Sequence, residues 1–398
     1  MRLLHTADWH VGRTIRGRSR ADEHAAVLGE LVEIAERESV DAVLVCGDQF
    51  DTSAPTAESE RLVYRTLLEL SAGGRRPVFV LSGNHDDPRR LDAVGPLLAA
   101  GDIDAVAFVA PADRGGVIER RIGGETLRLA LLPWLSQRHV IKADELMGER
   151  ADQHGQRYAD RVRRIVGHLG EGFGGDAVNV VAGHATVVGG TLGGGEREVH
   201  TVFDYAVPAT AFPPTAQYVA LGHLHRTQRI DAPAPVWYSG SPLQLDFGEV
   251  ANEPAALVVE IHPGTPAEVT PVPFRAGRRL RTVRAALADL DTLAAEDPSL
   301  TEDHLRIVVL EAGRAGLADD VRERFPNAVE VRVEAPETDE RPRPSEPRLG
   351  RSPTELFAEY LTDRDVDDER LVELFAELVD TELDAAGIGG AGESADVS

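Results

Sequence analysis

The stretch Leu4-His5-Thr6-Ala7-Asp8-Trp9-His10 decides the fold, because it joins an apolar run to two metal-binding side chains. The run Arg2–Thr6 predicts a short β-strand, and Asp8 and His10 come directly after its end. The Asp-x-His spacing places both side chains on the same side of an extended segment, so that both can reach one ion. The N-terminal segment therefore predicts a strand that presents metal ligands at its carboxyl end.

The same arrangement recurs at four further strand ends. Short apolar runs at residues 41–46, 77–81, 178–182 and 218–221 predict strands, and a glycine lies between each run and the polar residues that follow. These polar residues are Asp48, Asn84, His184, His223 and His225. In an open α/β sheet the carboxyl ends of parallel strands converge on one edge, where binding sites form. The motifs therefore predict one site assembled from distant parts of the chain.

The segments between and after these strands indicate the fold class. Residues 23–37 and 58–70 carry apolar residues at helical spacing between the early strands, which is typical of βαβ units. Strands lie closer together from about residue 117, which indicates antiparallel parts. We therefore expect an α/β fold, a two-sheet β-sandwich core flanked by helices, with a small α+β capping domain and C-terminal helices. The small domain is predicted to contain helices at 283–293 and 317–325 and strands at 305–310 and 328–333.

Composition shifts suggest five regions along the chain. They are the catalytic domain 1–277, the small capping domain 278–335, a Pro-, Glu- and Arg-rich linker 336–352, amphipathic helices within 353–385, and a Gly- and Ala-rich disordered tail 386–398. The helix predicted at 368–383 carries one apolar stripe, formed by Leu371, Leu374, Phe375, Leu378 and Val379. Such a helix usually packs into its own core. Here it follows a polar linker with little chain left to pack on, which favours binding to a partner.

Charge and cysteine content limit the possible functions. The net charge of −25 argues against nucleic-acid binding, but residues 336–398 contain 18 acidic residues and 6 arginines and so hold 12 of those charges. A basic loop follows the first ligands and predicts contacts with DNA phosphates, with a solvated loop as the alternative; it contains Arg13, Arg16, Arg18 and Arg20. The single cysteine, Cys46, and the lack of a long apolar run favour a cytoplasmic protein, here associated with the nucleoid.

The candidate ligands combine carboxylate, amide and imidazole donors without a thiolate, a set that favours Mn, Fe or Zn. Paired metal ions suit phosphodiester hydrolysis, because one activates water and both stabilise charge on the phosphate oxygens. A single Asp-x-His or Gly-His motif is common by chance, and a buried histidine is more often a core residue than a ligand. Five such motifs in order, all at strand ends, favour a binuclear site.

In order, the motifs D-x-H, G-D, G-N-H-D, G-H and G-H-x-H resemble the calcineurin-like metallophosphoesterase superfamily. Within it, the chain is similar to the SbcD family of bacterial nucleases over residues 4–12, 42–52, 218–226 and 238–243, and again at 247–249. The resemblance implies two divalent ions, expected to be Mn²⁺. One would be held by Asp8, His10, Asp48 and His225, and the other by Asp48, Asn84, His184 and His223, with Asp48 as the bridge.

The resemblance also implies roles for residues outside the ligand set. His85 would be the catalytic histidine that binds a phosphate oxygen or protonates the leaving oxygen. Asp86 would support His85, or else be a surface turn residue. Arg13, Arg16 and Ser241, the last within Gly240-Ser241-Pro242, are the candidate DNA contacts.

The implied function is a Mn-dependent DNA nuclease, a double-strand 3′–5′ exonuclease and a single-strand and hairpin endonuclease, in DNA end processing, repair and recombination. The resemblance implies that it acts with an SbcC-like coiled-coil ATPase. The chain has no Walker A sequence, so any dependence on ATP must come from another chain. Helices at 58–70 and 89–98 would form a homodimer within a heterotetramer, or else only cover the sheet. The alternatives are a metallophosphoesterase for small phosphodiesters or phosphoproteins, and a non-catalytic scaffold that retains the fold.

Overall fold

The computed structural model describes residues 1–135, 158–196, 206–335, 357–358, 361 and 370–375. The chain divides into two units, Met1–Pro336 and Glu337–Ser398. In the second unit, residues 370–375 are helical, and the rings of Phe357 and Phe375 stack at 4.2 Å. The predicted linker 336–352 and the predicted tail 386–398 lie outside the described residues, as does most of 353–385.

The strands and helices of the first unit follow the predicted rhythm closely in its first half. The strands are β1 Arg2–Thr6, β2 Thr14–Ile15, β3 Arg18–Ser19, β4 Ala42–Cys46, β5 Val78–Leu81, β6 Ile103–Val106, β7 Val117–Ile122, β8 Glu125–Leu132, β9 Val178–His184, β10 Tyr218–Gly222, β11 Gln228–Ile230, β12 Val236–Tyr238, β13 Ala255–Glu260, β14 Glu268–Pro273, β15 Leu280–Ala285, β16 His304–Val309 and β17 Ala328–Val333. The α-helices are α1 Ala21–Arg37, α2 Ala57–Leu70, α3 Pro88–Leu98, α4 Tyr158–Leu169, α5 Leu290–Glu296 and α6 Leu317–Arg324.

Two six-stranded sheets form a sandwich, as predicted. The first has the order β14-β13-β1-β4-β5-β6, and the second has the order β11-β12-β10-β9-β8-β7. The strands β1, β4, β5 and β6 are parallel, as are β8, β9, β10 and β12, whereas β7, β11, β13 and β14 pair antiparallel to their neighbours. One buried apolar cluster contains residues of both sheets, such as Leu3, Leu44, Leu129 and Tyr218. This shared core holds the inner faces together.

Helices cover the outer faces, because each presents an apolar stripe to its sheet. In α1 the buried residues Val27, Leu28, Leu31 and Ile34 follow helical spacing. They belong to the cluster that packs α1, α2 and α3 on the first sheet, and a second cluster packs α4 on the second sheet. No helix within the described ranges is long and apolar enough to span a bilayer.

Residues after 277 form a small layer of helices and strands with its own core. The strands β15, β16 and β17 form a parallel sheet, and α5 and α6 pack on it through residues such as Leu290 and Val321. The helix predicted at 283–293 was wrong, because residues Leu280–Ala285 form β15 and the helix starts only at Leu290. Exposed and less exposed residues alternate along β15, and pairing with β16 stabilises this period-two pattern.

Arg20, predicted to lie in an exposed basic loop, is instead buried at the junction with the small layer. Its guanidinium donates to the Gln244 carbonyl and pairs with Glu23. Glu23 also accepts hydrogen bonds from His304 Nε2 at 2.7 Å and from the Arg278 backbone at 2.9 Å. A buried arginine needs such partners because an unpaired charge is costly away from water. Arg20 and Glu23 therefore join the sandwich to the small layer.

Candidate metal centre

The seven candidate ligands all lie where β1, β4, β5, β9 and β10 end. Backbone hydrogen bonds connect these strand ends: the Asp8 N–H donates to the Gly47 carbonyl, and the His10 N–H to the Asp48 carbonyl, both at 3.0 Å. Across the sandwich, the His223 N–H donates to both carboxylate oxygens of Asp8 at 3.0 Å. The site therefore joins the two sheets at one edge, as the strand-end motifs predicted.

The backbone is strained at four of these residues. Asp8, His10, Asp48 and His223 have positive φ angles of 54°, 46°, 54° and 105°. Residues other than glycine rarely adopt this conformation, and each instance costs on the order of 1–3 kcal/mol unless the surroundings enforce it. The strain turns the chain sharply after each strand and aims the side chains into one space.

Glycines make the close approach possible. A Cβ atom on Gly47 would lie 2.2 Å from His184 Nδ1, and one on Gly83 would lie 2.1 Å from Asp48 Oδ1. A Cβ atom on Gly222 would lie 2.0 Å from the Cys46 carbonyl oxygen. No Cβ atom fits at these distances, so the packing of the site requires glycine at positions 47, 83 and 222.

Two groups of donor atoms each contain three members of one predicted ligand set. Asp8, His10 and His225 form one group and Asp48, His184 and His223 another, with ligand atoms within 4.8 Å of one another in each. A third group of the same kind contains His10 together with Asp51 and His85. Asn84 Oδ1 lies 2.9 Å from His184 Nε2 and 2.8 Å from His223 Nδ1, within the second group. Asp48 Oδ2 lies 3.4 Å from His184 Nε2 and 3.7 Å from His10 Nε2, and so sits between the groups.

The environment of His10 fits a metal ligand. The ring is 1% exposed, and within the described part of the chain neither ring nitrogen makes a hydrogen bond. A buried imidazole without hydrogen bonds is costly, and a cation would satisfy one of its nitrogens. Burial lowers the pKa of His10 to about 3, which keeps the ring neutral and able to coordinate.

The charges of the site also favour the binding of cations. Burial raises the pKa of Asp8 to about 7. Burial also opposes ionisation of Asp48, but nearby His184 and other histidines outweigh it and hold the pKa well below its usual value. His184 has Nδ1 2.7 Å from the Cys46 carbonyl and Nε2 near Asn84, and the Asp48 charge overcomes burial to raise its pKa to about 9. Bound cations would balance the charges of the buried carboxylates, so that neither Asp8 nor His184 would need to hold a proton.

Comparison with known proteins agrees with this geometry. The family model for calcineurin-like phosphoesterases matches residues 1–227. The chain belongs to the calcineurin-like phosphoesterase family.

Closer relatives within that family are SbcD proteins, named for their place in the SbcCD nuclease. The Bacillus subtilis protein is 39% identical over 289 residues, which cover 72% of this chain and 73% of the relative. The Rhodobacter capsulatus protein is 33% identical over 79% of this chain and 81% of its own length. The Escherichia coli K12 protein is 35% identical over 63% of this chain and 62% of its own length. The chain is therefore also a member of the SbcD family.

His85 and Asp86 are both buried beside the candidate ligands. The His85 ring lies 4.6 Å from the His10 ring, and its Nδ1 donates to the Asp51 carbonyl at 2.7 Å. The Asp86 carboxylate accepts backbone hydrogen bonds from Gly83 at 2.8 Å and Phe50 at 3.1 Å. Asp86 is 7% exposed, so the alternative of a surface turn residue was wrong. It connects the loops after β4 and β5.

Three acidic residues next to the ligands received no role from the sequence. Asp51 Oδ1 lies 3.5 Å from His10 Nδ1, and Glu249 Oε1 lies 2.7 Å from His225 Nδ1. Glu196 Oε1 accepts the His225 N–H at 3.0 Å. Asp51 and Glu249 lie in segments similar to the SbcD family, but their contacts depend on long-range packing. The glycine run before Glu196 is the one sequence signal that marks its loop.

The three candidate DNA contacts differ from one another in their exposure and in their partners. Arg13 is partly exposed and pairs with Asp51 at 3.1 Å. Arg16 pairs with Asp246 at 3.0 Å and Glu330 at 2.8 Å. Ser241 is 2% exposed, and its N–H donates to the His225 carbonyl at 3.1 Å. Ser241 therefore supports the ligand loop and forms no part of an accessible surface.

Proposed function

We propose that this chain is the catalytic component of an SbcCD-type nuclease, which hydrolyses phosphodiester bonds of DNA with two divalent metal ions. The observation that carries the proposal is the convergence of seven donors at one edge of the sandwich, with Asp48 between two groups of them. Six of the seven are buried and Asn84 is partly buried. Membership of the SbcD family supports the nucleic-acid substrate over small phosphodiesters or phosphoproteins. The intact ligand set argues against a scaffold without activity.

The two groups suggest how the ions would be held. Asp8, His10, Asp48 and His225 would hold one ion, and Asp48, Asn84, His184 and His223 the other. The donors are oxygen and imidazole nitrogen without thiolate, a set that favours Mn, Fe or Zn. Among these ions we propose Mn²⁺, the ion that the resemblance to the SbcD family implies. Bound ions would lower the pKa of a coordinated water and stabilise charge on the phosphate oxygens.

His85 would handle the proton on the leaving group. Its Nδ1–H is held by the Asp51 carbonyl, which fixes the ring orientation and leaves Nε2 on the opposite side of the ring. Protonated at Nε2, the ring would donate to a phosphate oxygen or to the leaving 3′ or 5′ oxygen. General-acid catalysis of this kind contributes about 10²–10⁴-fold to rate.

The test compares wild type with His85→Ala on linear duplex and hairpin DNA in the presence of Mn²⁺. We expect the variant to lose about 10²–10⁴-fold in cleavage rate while it binds Mn²⁺ as wild type does. The control is His168→Ala, which changes an exposed histidine on α4 that pairs with Glu171. Equal DNA cleavage by His85→Ala and wild type would contradict the proposal. If wild type hydrolyses bis(p-nitrophenyl) phosphate but does not cleave DNA, the small-substrate alternative is favoured. End-labelled duplex would show whether digestion runs 3′–5′.

We also propose a homodimer formed through α2 and α3. Leu97 on α3 is 76% exposed and Leu68 on α2 is 49% exposed, an apolar exposure that a second copy would cover. Leu97→Glu is expected to convert the dimer to a monomer in light scattering after size exclusion. Val333→Glu, at an exposed apolar position of the small layer, is the control. If wild type is a monomer, the alternative is favoured, in which these helices only cover the sheet.

The partner would be an SbcC-like ATPase bound by the C-terminal stripe. Leu371 and Leu374 in the described helical segment are 40% and 53% exposed. Leu374→Glu is expected to abolish co-purification with the ATPase, whereas Glu373→Gln on the same turn should not. Full binding by Leu374→Glu would contradict this part of the proposal.

A further inference from the structure

Glu249 is a buried acid in contact with a proposed metal ligand. It is 1% exposed, its Oε1 lies 2.7 Å from His225 Nδ1, and its Oε2 accepts the Leu245 N–H at 2.6 Å. Because a carboxylate only accepts, the Nδ1 of His225 must donate. The Nε2 of the neutral ring then carries the lone pair that a metal needs, and the hydrogen bond sets the ring orientation.

The loop at residues 193–196 packs against Glu249 and His225. A Cβ atom on Gly195 would lie 2.1 Å from Glu249 Oε1, and one on Gly194 would lie 2.8 Å from the Gly248 backbone. The lack of side chains at these two positions lets the loop pack directly on Glu249. Glu249 therefore has little room to move away from His225.

Gln244 connects the Glu249 loop to the small layer. Its Oε1 accepts the N–H of Leu280, the first residue of β15, at 2.7 Å. Its Nε2 lies 3.2 Å, 3.0 Å and 3.0 Å from the carbonyl oxygens of Glu249, Val250 and Asn252. The Glu249 carbonyl also accepts the Asn252 N–H at 2.8 Å. Gln244 is 5% exposed, so its side chain bonds the loop to β15 from within the packed interior.

Phe247 provides a second connection from the same loop. The Arg306 guanidinium of β16 lies 4.4 Å from the centre of the Phe247 ring, and Phe247 clusters with Leu280. Next to it, Asp246 pairs with Arg16, which also pairs with Glu330 of β17. One face of the loop therefore contacts a metal ligand, and the other contacts the small layer.

We propose that Glu249 is the positioning residue for His225, and that the small layer 278–335 holds Glu249 in place through Gln244. This inference rests on the proposed metal centre. The small layer thereby contributes to metal binding although none of the seven proposed ligands belongs to it. Loss of the Gln244 side chain would remove its hydrogen bonds to the Leu280 N–H and to the Val250 and Asn252 carbonyls, and would loosen the backbone that carries Glu249.

The experiment titrates the full chain with Mn²⁺ and follows free Mn²⁺ by electron paramagnetic resonance. Glu249→Ala is expected to weaken one of the two Mn²⁺ sites by about 10–100-fold and to leave the other unchanged. Gln244→Ala and Gly195→Ala should weaken the same site to a smaller extent. His225→Ala combined with Glu249→Ala should bind no more weakly than His225→Ala alone, because Glu249 acts through His225.

Glu125→Gln is the control. Glu125 also contacts a histidine ring nitrogen, that of His262, at 2.8 Å, and it lies on β8, outside the groups of metal donors and away from the small layer. It should leave both Mn²⁺ affinities unchanged. If Glu249→Ala does not fold, Glu249→Gln keeps the side-chain volume and should show a smaller loss at the same site.

Three results would overturn the inference: unchanged Mn²⁺ affinity in the folded Glu249 variants, equal weakening of both sites, or additive losses with His225→Ala. A wild-type chain that binds no Mn²⁺ would overturn the proposed function together with it. Wild type that binds two Mn²⁺ ions and cleaves DNA, with Glu249 variants that bind Mn²⁺ equally well, would overturn this inference alone.

Discussion

Gly222→Ala tests whether the packing of the strand ends creates the metal centre. Gly222 is the last residue of β10 and pairs with His184 on β9. A Cβ atom there would lie 2.0 Å from the Cys46 carbonyl oxygen and 2.9 Å from His184 Nδ1. Because real Cβ contacts are essentially never below 3.0 Å, the strand ends must separate by 1 Å or more.

The size of the effect follows from this displacement. Overpacking of a tight interior costs about 1–3 kcal/mol, which lowers the Tm of a unit of this size by roughly 1–4 °C. A shift of about 1 Å in groups that hold the reacting atoms costs about 10²-fold in rate. We therefore expect Gly222→Ala to lose both stability and Mn-dependent cleavage of duplex DNA.

Calorimetry without metal and a cleavage assay with Mn²⁺ measure the two effects separately. Gly167→Ala is the control, because Gly167 lies in α4 and a Cβ atom there meets nothing within 4 Å. That variant should gain about 0.5–1 kcal/mol, since alanine is favoured over glycine inside a helix. If Gly222→Ala melts and cleaves as wild type does, strand-end packing does not limit the site.

Three further predictions concern stability, measured as the free energy of unfolding in urea. Leu44→Ala removes a fully buried side chain from the core between the sheets and should cost about 2–5 kcal/mol, whereas Leu310→Ala, at a 38% exposed position, should cost far less. Arg20→Ala leaves Glu23 without its buried partner and should cost about 3–5 kcal/mol; a loss below about 1 kcal/mol would show that the junction adds little stability. Glu330→Gln should destabilise at pH 7, because hydrogen bonds from Arg16, Arg306 and Arg332 outweigh burial and lower the Glu330 pKa to about 2. That stabilisation is complete above the ordinary pKa of 4.5 and is lost as the pH falls toward 2. The difference in free energy of unfolding between wild type and Glu330→Gln should therefore become smaller below pH 4.5. A difference that does not change with pH would contradict this prediction.

Local patterns carried most of the fold. Buried parallel strands such as β4 are continuous apolar runs bounded by glycine or polar residues, and the helix α1 shows helical spacing of apolar residues. The prediction failed at β15, where Val283, Leu287 and Leu290 also fit a helical spacing. Only pairing with β16 selects the strand at residues 280–285, and that contact joins residues more than 20 positions apart.

The seven candidate ligands could be predicted because each directly follows a strand, and strand ends converge in any sheet of this type. The supporting residues could not. Glu249 contacts His225 from 24 positions away, and Arg20 contacts Gln244 from 224 positions away. Such contacts follow no local period, so the sequence does not distinguish an acidic residue that is buried from one that lies on the surface.

By itself, the sequence determined the sheets, the order of the motifs and the residue types able to bind metal, because backbone periodicity and side-chain chemistry are local properties. Tertiary structure alone decided which acids support those ligands, that Arg20 and Ser241 are buried, and that the small layer contacts the loop behind His225. These depend on which surfaces meet when the sheets pack. Burial then determines the cost of each polar group and therefore its partner.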